Sequence, residues 1–425
     1  MTTHLTAFAD GLVMGTVTQA KGGQLTFSYS QDWLDSQAAY PLSISMPLAT
    51  DIYGHRKIEP FLWGLLPDNE VVPGQWARKF HVSARNAFGL IANVGEDCAG
   101  AVQFVRPERF DAVRLGTTQE VQWLDETGVA DRLRALRHDQ SAWRTPRDTG
   151  QFSLAGAQPK TALLLENGRW GVPSGRLPTT HILKPPTGEF DGHAENEHFC
   201  LQLARSFELP AASSEIRRFE DQVAIVVERY DRVRIARTIR RVHQEDVCQA
   251  LGLPPTKKYQ SDGGPGIREL ADLLTTVSTA PAQDTNTFIR AIALNWLVAG
   301  TDAHSKNYAL LLSSDSRVRL APLYDLTSAL PYPGPRPIGL KLAMKIGGEY
   351  RLRNIAAKQW RKLATEVRRN PEELLTTLRA TAEAMPDHVL NIQQLVKQDG
   401  LVHPIVDRLS AQLVMRAKEC GRLLR

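Results

Sequence analysis

The chain has 425 residues, of which 42% are hydrophobic and 23% are charged, so it can bury two or three sizeable cores like an ordinary soluble globular protein. Its formal net charge of +5 is a mild excess that does not by itself indicate nucleic-acid binding. No apolar run approaches the ~20 residues of a membrane span and the N-terminus lacks a signal-peptide layout, so we expect a cytoplasmic protein with no membrane partner. The four cysteines form no CxxC pair and are predicted to be reduced thiols.

The N-terminal part of the chain is predicted to be rich in β structure. Residues 4–30 alternate apolar and polar side chains, and the pairs Asp10-Gly11 and Gly22-Gly23 supply turns that accept positive φ. Residues 40–104 mix short helices with a closing strand, and we expect them to serve packing. Residues 111–148 are charged and turn-rich, which indicates a helical connector.

Residues 151–184 form a stretch that suits phosphate binding. Gly156 in a turn of small residues lets the backbone approach a phosphate, and Ser153 lies at the edge of this turn. Lys184 ends an apolar strand about thirty residues later, where a protein kinase places its phosphate-pairing lysine. A P-loop is the rival interpretation, but the second Gly is missing and Pro159 removes an N–H from the nest.

Segment 193–209 is predicted to be an amphipathic helix. Its Glu195 or Glu197 could pair with a phosphate-binding lysine. The same segment carries His193 and His198, but two zinc ligands on one helix face would lie at i and i+4, so a metalloprotease is disfavoured. A serine hydrolase is also disfavoured, because the sequence has no GxSxG elbow.

The next segments complete a mixed pattern of strands and helices. Residues 222–232 are strongly β-branched and predict a core strand whose end can bond adenine through its backbone. Residues 242–266 predict a helix and then a long polar loop over the active-site mouth. Beyond residue 355 the period is helical throughout. Helix starts are predicted near three prolines, Pro371, Pro386 and Pro404.

Residues 288–325 carry the strongest functional pattern. Apolar residues fall on nearly every face of 288–298, which predicts a buried helix that stops at Gly300. The following loop contains four polar side chains, and two apolar strands around Ser-Ser-Asp-Ser then predict a hairpin that ends just before Asp325. The four loop residues are Asp302, His304, Lys306 and Asn307.

The spacing of three of these residues is typical of a protein kinase. A kinase catalytic loop places an Asp five residues before an Asn, and a metal-binding Asp follows a short hairpin. Asp302, Asn307 and Asp325 reproduce that order and spacing. One carboxylate would accept the proton of the acceptor hydroxyl, while an amide and a second carboxylate would hold Mg²⁺ against the phosphates of ATP.

Nine short motifs along the chain resemble the HipA family, the serine/threonine kinase toxins of bacterial HipBA toxin–antitoxin modules. In chain order they are LLPDN, GEDCAGAVQF, SLAGAQPKTALL, THILK, VERYDR, QEDVCQALGLP, KYQSDGGPG, GTDAHSKN and LYDL. The resemblance implies an α+β, two-lobed, protein-kinase-like fold with an extra N-terminal subdomain. The predicted segments are 1–148 for the β-rich subdomain, 149–236 for the kinase N-lobe and 237–425 for the helical C-lobe.

The resemblance also implies roles for individual residues. Asp302 would be the catalytic base, Asn307 and Asp325 the Mg²⁺ ligands, and Lys184 the phosphate clamp with Glu197 as its partner. Lys306 would supply a positive charge beside the base, and His304 would either assist catalysis or shape the loop by a hydrogen bond. Ser153 matches the serine that family members autophosphorylate. The implied nucleotide-binding residues are Ser153, Ala155, Gly156, Ala157, Gln158, Lys184, the hinge Glu228, Arg229 and Tyr230, and Tyr324.

The function implied by the resemblance is an ATP- and Mg²⁺-dependent kinase that arrests growth. Its substrate would be a translation component such as an aminoacyl-tRNA synthetase, and a small helix-turn-helix antitoxin of the HipB type would neutralise it and bridge it to operator DNA. One alternative is a catalytically weak kinase fold that acts as a corepressor with its antitoxin. A small-molecule kinase is a third, and the long polar loop after Val242 argues against it. Pro159 replaces a usually polar residue and is expected to stiffen the phosphate loop.

Overall fold

The computed structural model describes residues 3–116, 120–139, 142, 152–186, 191–236, 238–332 and 339–425. The chain divides into two compact units, each built from three segments. Unit 1 comprises Met1–Pro185, Arg217–Pro255 and Ala309–Arg319, and unit 2 comprises Pro186–Ile216, Thr256–Tyr308 and Leu320–Arg425. The three segments predicted from the sequence have other boundaries than these two units. The predicted boundary at 148/149 lies outside the described residues, so the division into three segments stays a prediction.

The predicted antiparallel unit at the start of unit 1 is a five-stranded sheet. Asp10 and Gly11 form the first turn with φ of +52° and +85°, the paired positive values that a two-residue hairpin turn needs. Every pairing along the sheet is antiparallel, and its strand order is β4-β3-β2-β1-β5. The strands are β1 Thr3–Ala9, β2 Leu12–Gln19, β3 Leu25–Tyr29, β4 Ile52–Gly54 and β5 Gln103–Val105.

Short helices pack against this sheet and close its core. Trp33, Phe27 and Phe61 are completely buried there, which places three large aromatic side chains in one apolar cluster. The prediction that residues 40–104 serve packing agrees with this cluster. The helices are α1 Gln31–Leu34, α2 His55–Gly64, α3 Val71–Phe80, α4 Ala87–Val94 and α5 Pro107–Leu115.

A second, six-stranded sheet in the order β10-β11-β9-β7-β8-β6 follows. The predicted helical connector is wrong in part, because residues 121–124 form an edge strand of this sheet, paired with β8. One helix packs its Val129 and Leu133 against Trp170 and Phe219 of the sheet. The elements are β6 Val121–Leu124, α6 Glu126–His138, β7 Thr161–Glu166, β8 Arg169–Pro173, β9 His181–Lys184, β10 Ser214–Phe219 and β11 Gln222–Glu228.

The helix predicted at the start of residues 242–266 is wrong in part, because residues 243–246 form a strand. They pair antiparallel with the strand at 309–313, and Asp246 then caps a helix of only one turn. The predicted hairpin after residue 308 is confirmed, with Asp315 and Ser316 at positive φ in its turn. The elements are β12 Arg232–Ile235, β13 Thr238–Arg241, β14 His243–Asp246, α8 Val247–Ala250, β15 Ala309–Ser313 and β16 Arg317–Leu320.

Unit 2 is mainly helical, and α10 is the buried helix that the sequence predicts. It ends at Val298 rather than Gly300, since Ala299 adopts the left-handed conformation of the cap. Gly300 is needed for space, because a Cβ there would lie 2.3 Å from the side-chain oxygen of Asn295. The elements are α7 His193–Ser206, α9 Ile267–Val277, α10 Pro281–Val298, β17 Lys341–Ile346, β18 Glu349–Arg351, α11 Ala357–Glu366, α12 Pro371–Gln398 and α13 Pro404–Leu423.

Two helices of unit 2 differ from their predictions. Residues 194–201 of α7 are all buried, so this helix is not amphipathic, and burial lowers the pKa of His198 to about 4. Pro386 lies inside α12 instead of near a helix start. It removes one backbone hydrogen bond of the helix, and Met385 and Val389 on either side of it are buried. No helix in the described part of the chain is long and apolar enough to span a bilayer.

Candidate functional site

The loop of residues 300–307, which we call the catalytic loop, folds back on itself after α10. The Asn307 side-chain N–H donates a 3.0 Å hydrogen bond to the Asp302 carbonyl, and the His304 N–H donates to the same oxygen at 2.8 Å. The Asp302 side chain is exposed. Since the nitrogen of the Asn307 amide is engaged, a cation would be held through its oxygen. The spacing of five residues therefore places a carboxylate and an amide oxygen on one tight turn.

His304 and Lys306 are buried within this loop. The His304 ring lies edge-on to the Tyr259 ring with centroids 5.0 Å apart. The Lys306 carbonyl accepts a 2.6 Å hydrogen bond from the Tyr324 hydroxyl. These contacts favour the loop-shaping interpretation of His304, and they fix Tyr324 on the catalytic loop.

Tyr259 is a site residue that the sequence reasoning did not identify. Its hydroxyl donates a 2.5 Å hydrogen bond to the Asp302 carboxylate. Next to it, the Lys258 carbonyl accepts hydrogen bonds from the N–H and the hydroxyl of Ser305, at 3.2 and 2.9 Å. Two features of the sequence pointed to this region without singling out Tyr259. They were the KYQSDGGPG motif, which contains it, and the long polar loop predicted over the active-site mouth.

Asp325 has an unusual backbone conformation. It is half-buried with φ of +52°, in the left-handed region that Asp tolerates better than most residues. The segment around it is held on both sides in unit 2. Leu323 exchanges backbone hydrogen bonds with Pro210 and Ala212, and Ser328 exchanges two with the Asn196 side chain. A strained residue in a fixed segment is typical of a functional position.

The predicted phosphate loop, residues 152–160, lies in unit 1. Gly156 has φ of +103°, and a Cβ there would lie 2.5 Å from the ammonium nitrogen of Lys160. That nitrogen donates to the Ala155 carbonyl at 2.7 Å, while the Gly156 carbonyl accepts from the Asp68 N–H at 3.2 Å. The loop therefore carries a lysine side chain, that of Lys160, which was not among the predicted site residues. Ala157 is exposed and Gln158 is half-buried in the same turn.

Ser153 is completely buried in this structure. Its hydroxyl donates to the Leu65 carbonyl at 2.7 Å, and its N–H donates to the Asp97 carbonyl at 3.1 Å. The LLPDN and GEDC motifs of the N-terminal region thus anchor the phosphate loop. A phosphoryl group could reach this hydroxyl only if the loop moved.

Lys184 and the predicted hinge belong to the same sheet of unit 1. Lys184 is buried at the end of β9 and lies opposite Ile225 of β11, while Glu228 ends β11 opposite His181. Glu197 is buried in α7, which belongs to unit 2. Its pairing with Lys184 stays a prediction.

Arg229, the middle residue of the predicted hinge, makes several hydrogen bonds within the protein. Its N–H donates to Thr180, its carbonyl accepts from Arg232, and its guanidinium donates to Asp231 and to the Cys98 carbonyl. The protein itself thus engages these groups of Arg229. The adenine hinge of Glu228, Arg229 and Tyr230 stays a prediction.

Arg229 belongs to a buried network of charges that no sequence pattern indicated. Asp97 accepts hydrogen bonds from Arg232 at 2.9 Å and from Arg241 at 3.1 Å, and also from Thr179. Burial alone would raise the pKa of the Asp97 carboxyl, but the guanidinium groups outweigh it and lower that pKa well below its usual range. The network joins Asp97 to residues at and just after the predicted hinge.

Comparison with known proteins gives consistent relatives over nearly the whole chain. A profile of the HipA N-terminal domain matches residues 5–105, and a profile of the HipA-like C-terminal domain matches residues 152–389. The chain is 39% identical over 398 residues to Y4mE of Sinorhizobium fredii, provisionally named a kinase, with 90% of this chain and 92% of that protein covered. It is 32% identical over 348 residues to the serine/threonine-protein kinase toxin HipA of Shewanella oneidensis, covering 78% and 75% of the two chains.

The structure also matches a solved structure over nearly its whole length. It matches a chain of the HipA, HipB and operator DNA complex of Shewanella oneidensis MR-1 with a TM-score of 0.83 at 25% identity. The match covers 99% of this chain and 98% of that chain. The predicted fold class, α+β and kinase-like, is confirmed.

Proposed function

The chain belongs to the HipA family, and we propose that it is a serine/threonine protein kinase that transfers the γ-phosphoryl group of ATP to a protein hydroxyl. The observation that carries the proposal is the catalytic loop, where the Asn307 amide is hydrogen-bonded to the Asp302 carbonyl and the Asp302 carboxylate is exposed. A general base must be within reach of the hydroxyl it deprotonates, and an exposed carboxylate on a fixed turn meets that condition.

Asn307 and Asp325 suit Mg²⁺ as ligands. Carboxylate and amide oxygens are hard ligands of the kind that Mg²⁺ prefers, and Mg²⁺ in kinases is held by few protein groups together with substrate phosphates. Among the described residues there is no group of three or more His, Cys, Asp or Glu side chains that could hold a metal ion. When bound, the metal would neutralise negative charge that develops on the phosphates.

The nucleotide would be held by groups of unit 1. The positive-φ turn at Gly156 would bring backbone N–H groups to the phosphates, with Lys160 and Lys184 as cations. The hinge at residues 228–230 would bond adenine through its backbone. By the family resemblance, Glu197 is the partner we propose for Lys184. Tyr324 is hydrogen-bonded to the catalytic loop and would pack near the adenine base of the nucleotide.

The biological role we propose is that of a growth-arresting toxin. The relative from Shewanella oneidensis is named a kinase toxin, and the matching solved structure is a complex of HipA, HipB and operator DNA. By this analogy a small helix-turn-helix antitoxin neutralises the chain and connects it to DNA, and autophosphorylation at Ser153 inactivates it. The substrate we favour is a translation component such as an aminoacyl-tRNA synthetase. In the corepressor alternative, repression with the antitoxin would not need Asp302.

One experiment tests the kinase proposal directly. The purified full-length chain is incubated with γ-labelled ATP and Mg²⁺ in a bacterial lysate, and labelled peptides are mapped by mass spectrometry. We expect label on serine or threonine of one or a few proteins. A chain that binds ATP but transfers no label to any protein would refute the proposal.

A further inference from the structure

The Tyr259 hydroxyl contacts the side chain proposed to act as the base, although 43 positions separate the two residues. The 2.5 Å hydrogen bond runs from the phenol to Oδ1 of Asp302. A carboxylate bonded through one oxygen cannot turn freely about its χ angles, because rotation would break a charge-assisted bond. The contact therefore restricts the direction in which the other oxygen points.

The Tyr259 loop, residues 256–266, is itself held in place within unit 2. The Tyr259 carbonyl accepts hydrogen bonds from Asp262 and Gly264 at 3.1 and 3.0 Å. A Cβ at Gly264 would lie 1.9 Å from the Lys257 carbonyl oxygen, so this close turn requires glycine. The Gln260 side-chain oxygen accepts from the backbone N–H of Lys345 at 2.7 Å.

The phenol ring is fixed as well as the backbone. It is half-buried and lies edge-on to the buried His304 ring, with the centroids 5.0 Å apart. The two hydrogen bonds of Ser305 to the Lys258 carbonyl attach the same loop to the catalytic loop. These contacts hold the loop and the ring of Tyr259 in one position. The hydroxyl is therefore a fixed part of the site and does not belong to a lid that opens.

We propose that Tyr259 is a positioning residue for phosphoryl transfer, which holds Oδ1 of Asp302 so that the second oxygen, Oδ2, faces the acceptor hydroxyl. In the transfer step the acceptor oxygen forms a bond to the γ-phosphorus, the bond to the ADP oxygen breaks, and Asp302 takes the acceptor proton. Tyr259 keeps its own proton throughout. This inference rests on the proposed kinase function and adds to it a residue outside the 300–325 pattern.

The test compares Tyr259→Phe with the wild-type chain and with Tyr350→Phe. Tyr350 also lies in unit 2, on β18, where its ring contacts Lys345, so the control loses a phenol hydroxyl that does not touch Asp302. The measured quantity is the initial rate of label transfer from γ-labelled ATP to acid-precipitable lysate protein, at several ATP concentrations. Nucleotide affinity by calorimetry and the thermal midpoint are measured in parallel.

We expect Tyr259→Phe to lower the maximal rate about ten- to hundredfold, the range for losing a hydrogen bond to a charged group. The KM for ATP, the affinity for ATP and the thermal midpoint should stay close to wild type, and Tyr350→Phe should match wild type in every measurement. A loss of rate together with lost ATP affinity and a lower midpoint would show a merely structural role and overturn the inference.

Three other outcomes would also overturn it. An unchanged rate would mean that the hydrogen bond does not matter, and a faster rate would mean that Tyr259 obstructs the acceptor. Phosphotyrosine at position 259 in the wild-type chain would mean that Tyr259 is itself an acceptor. Failure of the kinase proposal looks different, because Asp302→Asn would then transfer label as fast as wild type, or wild type would transfer none.

Discussion

The buried hydroxyl of Ser153 donates a 2.7 Å hydrogen bond to the carbonyl oxygen of Leu65, so the structure holds the proposed autophosphorylation site inside unit 1. A phosphoryl group would add a charge of about −1.5 to −2 at this position. In this completely buried position, that charge would lie next to the carbonyl oxygen of Leu65, which is itself partly negative. The phosphate loop would therefore have to leave its place.

The first prediction is that phosphorylation of Ser153 weakens ATP binding by at least tenfold, because the loop that carries Gly156 moves with it. Ser153→Ala should bind ATP normally and stay active without inactivating itself. Calorimetry on the unmodified, Ser153-phosphorylated and Ser153→Ala proteins measures this. Ser174→Ala is the matched control, since Ser174 is also buried in unit 1 and donates to the Glu120 carbonyl. Equal ATP affinity before and after stoichiometric phosphorylation would contradict the switch.

The second prediction concerns Asp325 and the metal. Asp325→Ala should weaken Mg²⁺·ATP binding by about tenfold or more while changing metal-free ATP binding little, because the lost contact is to the cation. Titrations with and without Mg²⁺ separate the two effects. Asp315→Ala controls for backbone strain, since Asp315 also has positive φ, +61° against +52° for Asp325. Similar losses in both titrations would make Asp325 a structural residue.

The third prediction is a pH dependence of stability at Glu245. Burial raises the pKa of this carboxyl from 4.5 to about 8, and its one bonded oxygen accepts from the Ile44 N–H at 2.7 Å. The folded chain thus keeps a proton that the unfolded chain releases above about pH 4.5, so this group's contribution to stability falls as the pH rises towards 8. Glu245→Gln imitates the protonated form and should gain about 2 to 3 kcal/mol relative to wild type between pH 6 and pH 8.5.

Urea unfolding of both proteins at the two pH values measures this difference. Other titrating groups affect wild type and variant alike, so the difference isolates Glu245. A difference that does not change with pH would show that Glu245 is ionised in the folded chain.

The fourth prediction tests the buried charge network. Asp97→Asn leaves Arg232 and Arg241 without the carboxylate that both contact, and uncompensated buried charge typically costs about 3 to 5 kcal/mol. Chemical denaturation should show this loss. Asp131→Asn is the control, because Asp131 pairs with Arg134 at the surface and such pairs contribute little. A loss as small as that of the control would mean that the network does not stabilise unit 1.

The catalytic loop could be predicted from the sequence because its features are local. The Asp302 to Asn307 spacing, the apolar helix before it and the hairpin after it all lie within about forty residues. Each has a period or a turn signal of its own. The structure shows helix, turn and hairpin where they were predicted, with helix α10 ending two residues early.

The features that could not be predicted depend on distant contacts. Tyr259 meets Asp302 across 43 positions, and Arg232 meets Asp97 across 135, so no window of sequence contains either pair. The resemblance placed Arg229 in the hinge, but its buried hydrogen bonds to Asp231 and to the Cys98 carbonyl could not be read from the sequence. Strand β6 was not predicted for a similar reason. It lies in a polar stretch of sequence, and its pairing with β8 makes it a strand.

The measurement that tests the kinase proposal most directly is label transfer by Asp302→Asn. This change removes the charge of the base but keeps the shape of the side chain. Loss of a general base typically lowers the rate by about 10² to 10⁴. We expect a loss in this range, with ATP affinity and thermal midpoint unchanged and with growth arrest on expression abolished. Asp262→Asn, on the exposed part of the Tyr259 loop, should match wild type. An Asp302→Asn protein that labels its substrate at nearly the wild-type rate and still arrests growth would contradict the assignment of Asp302 as the base.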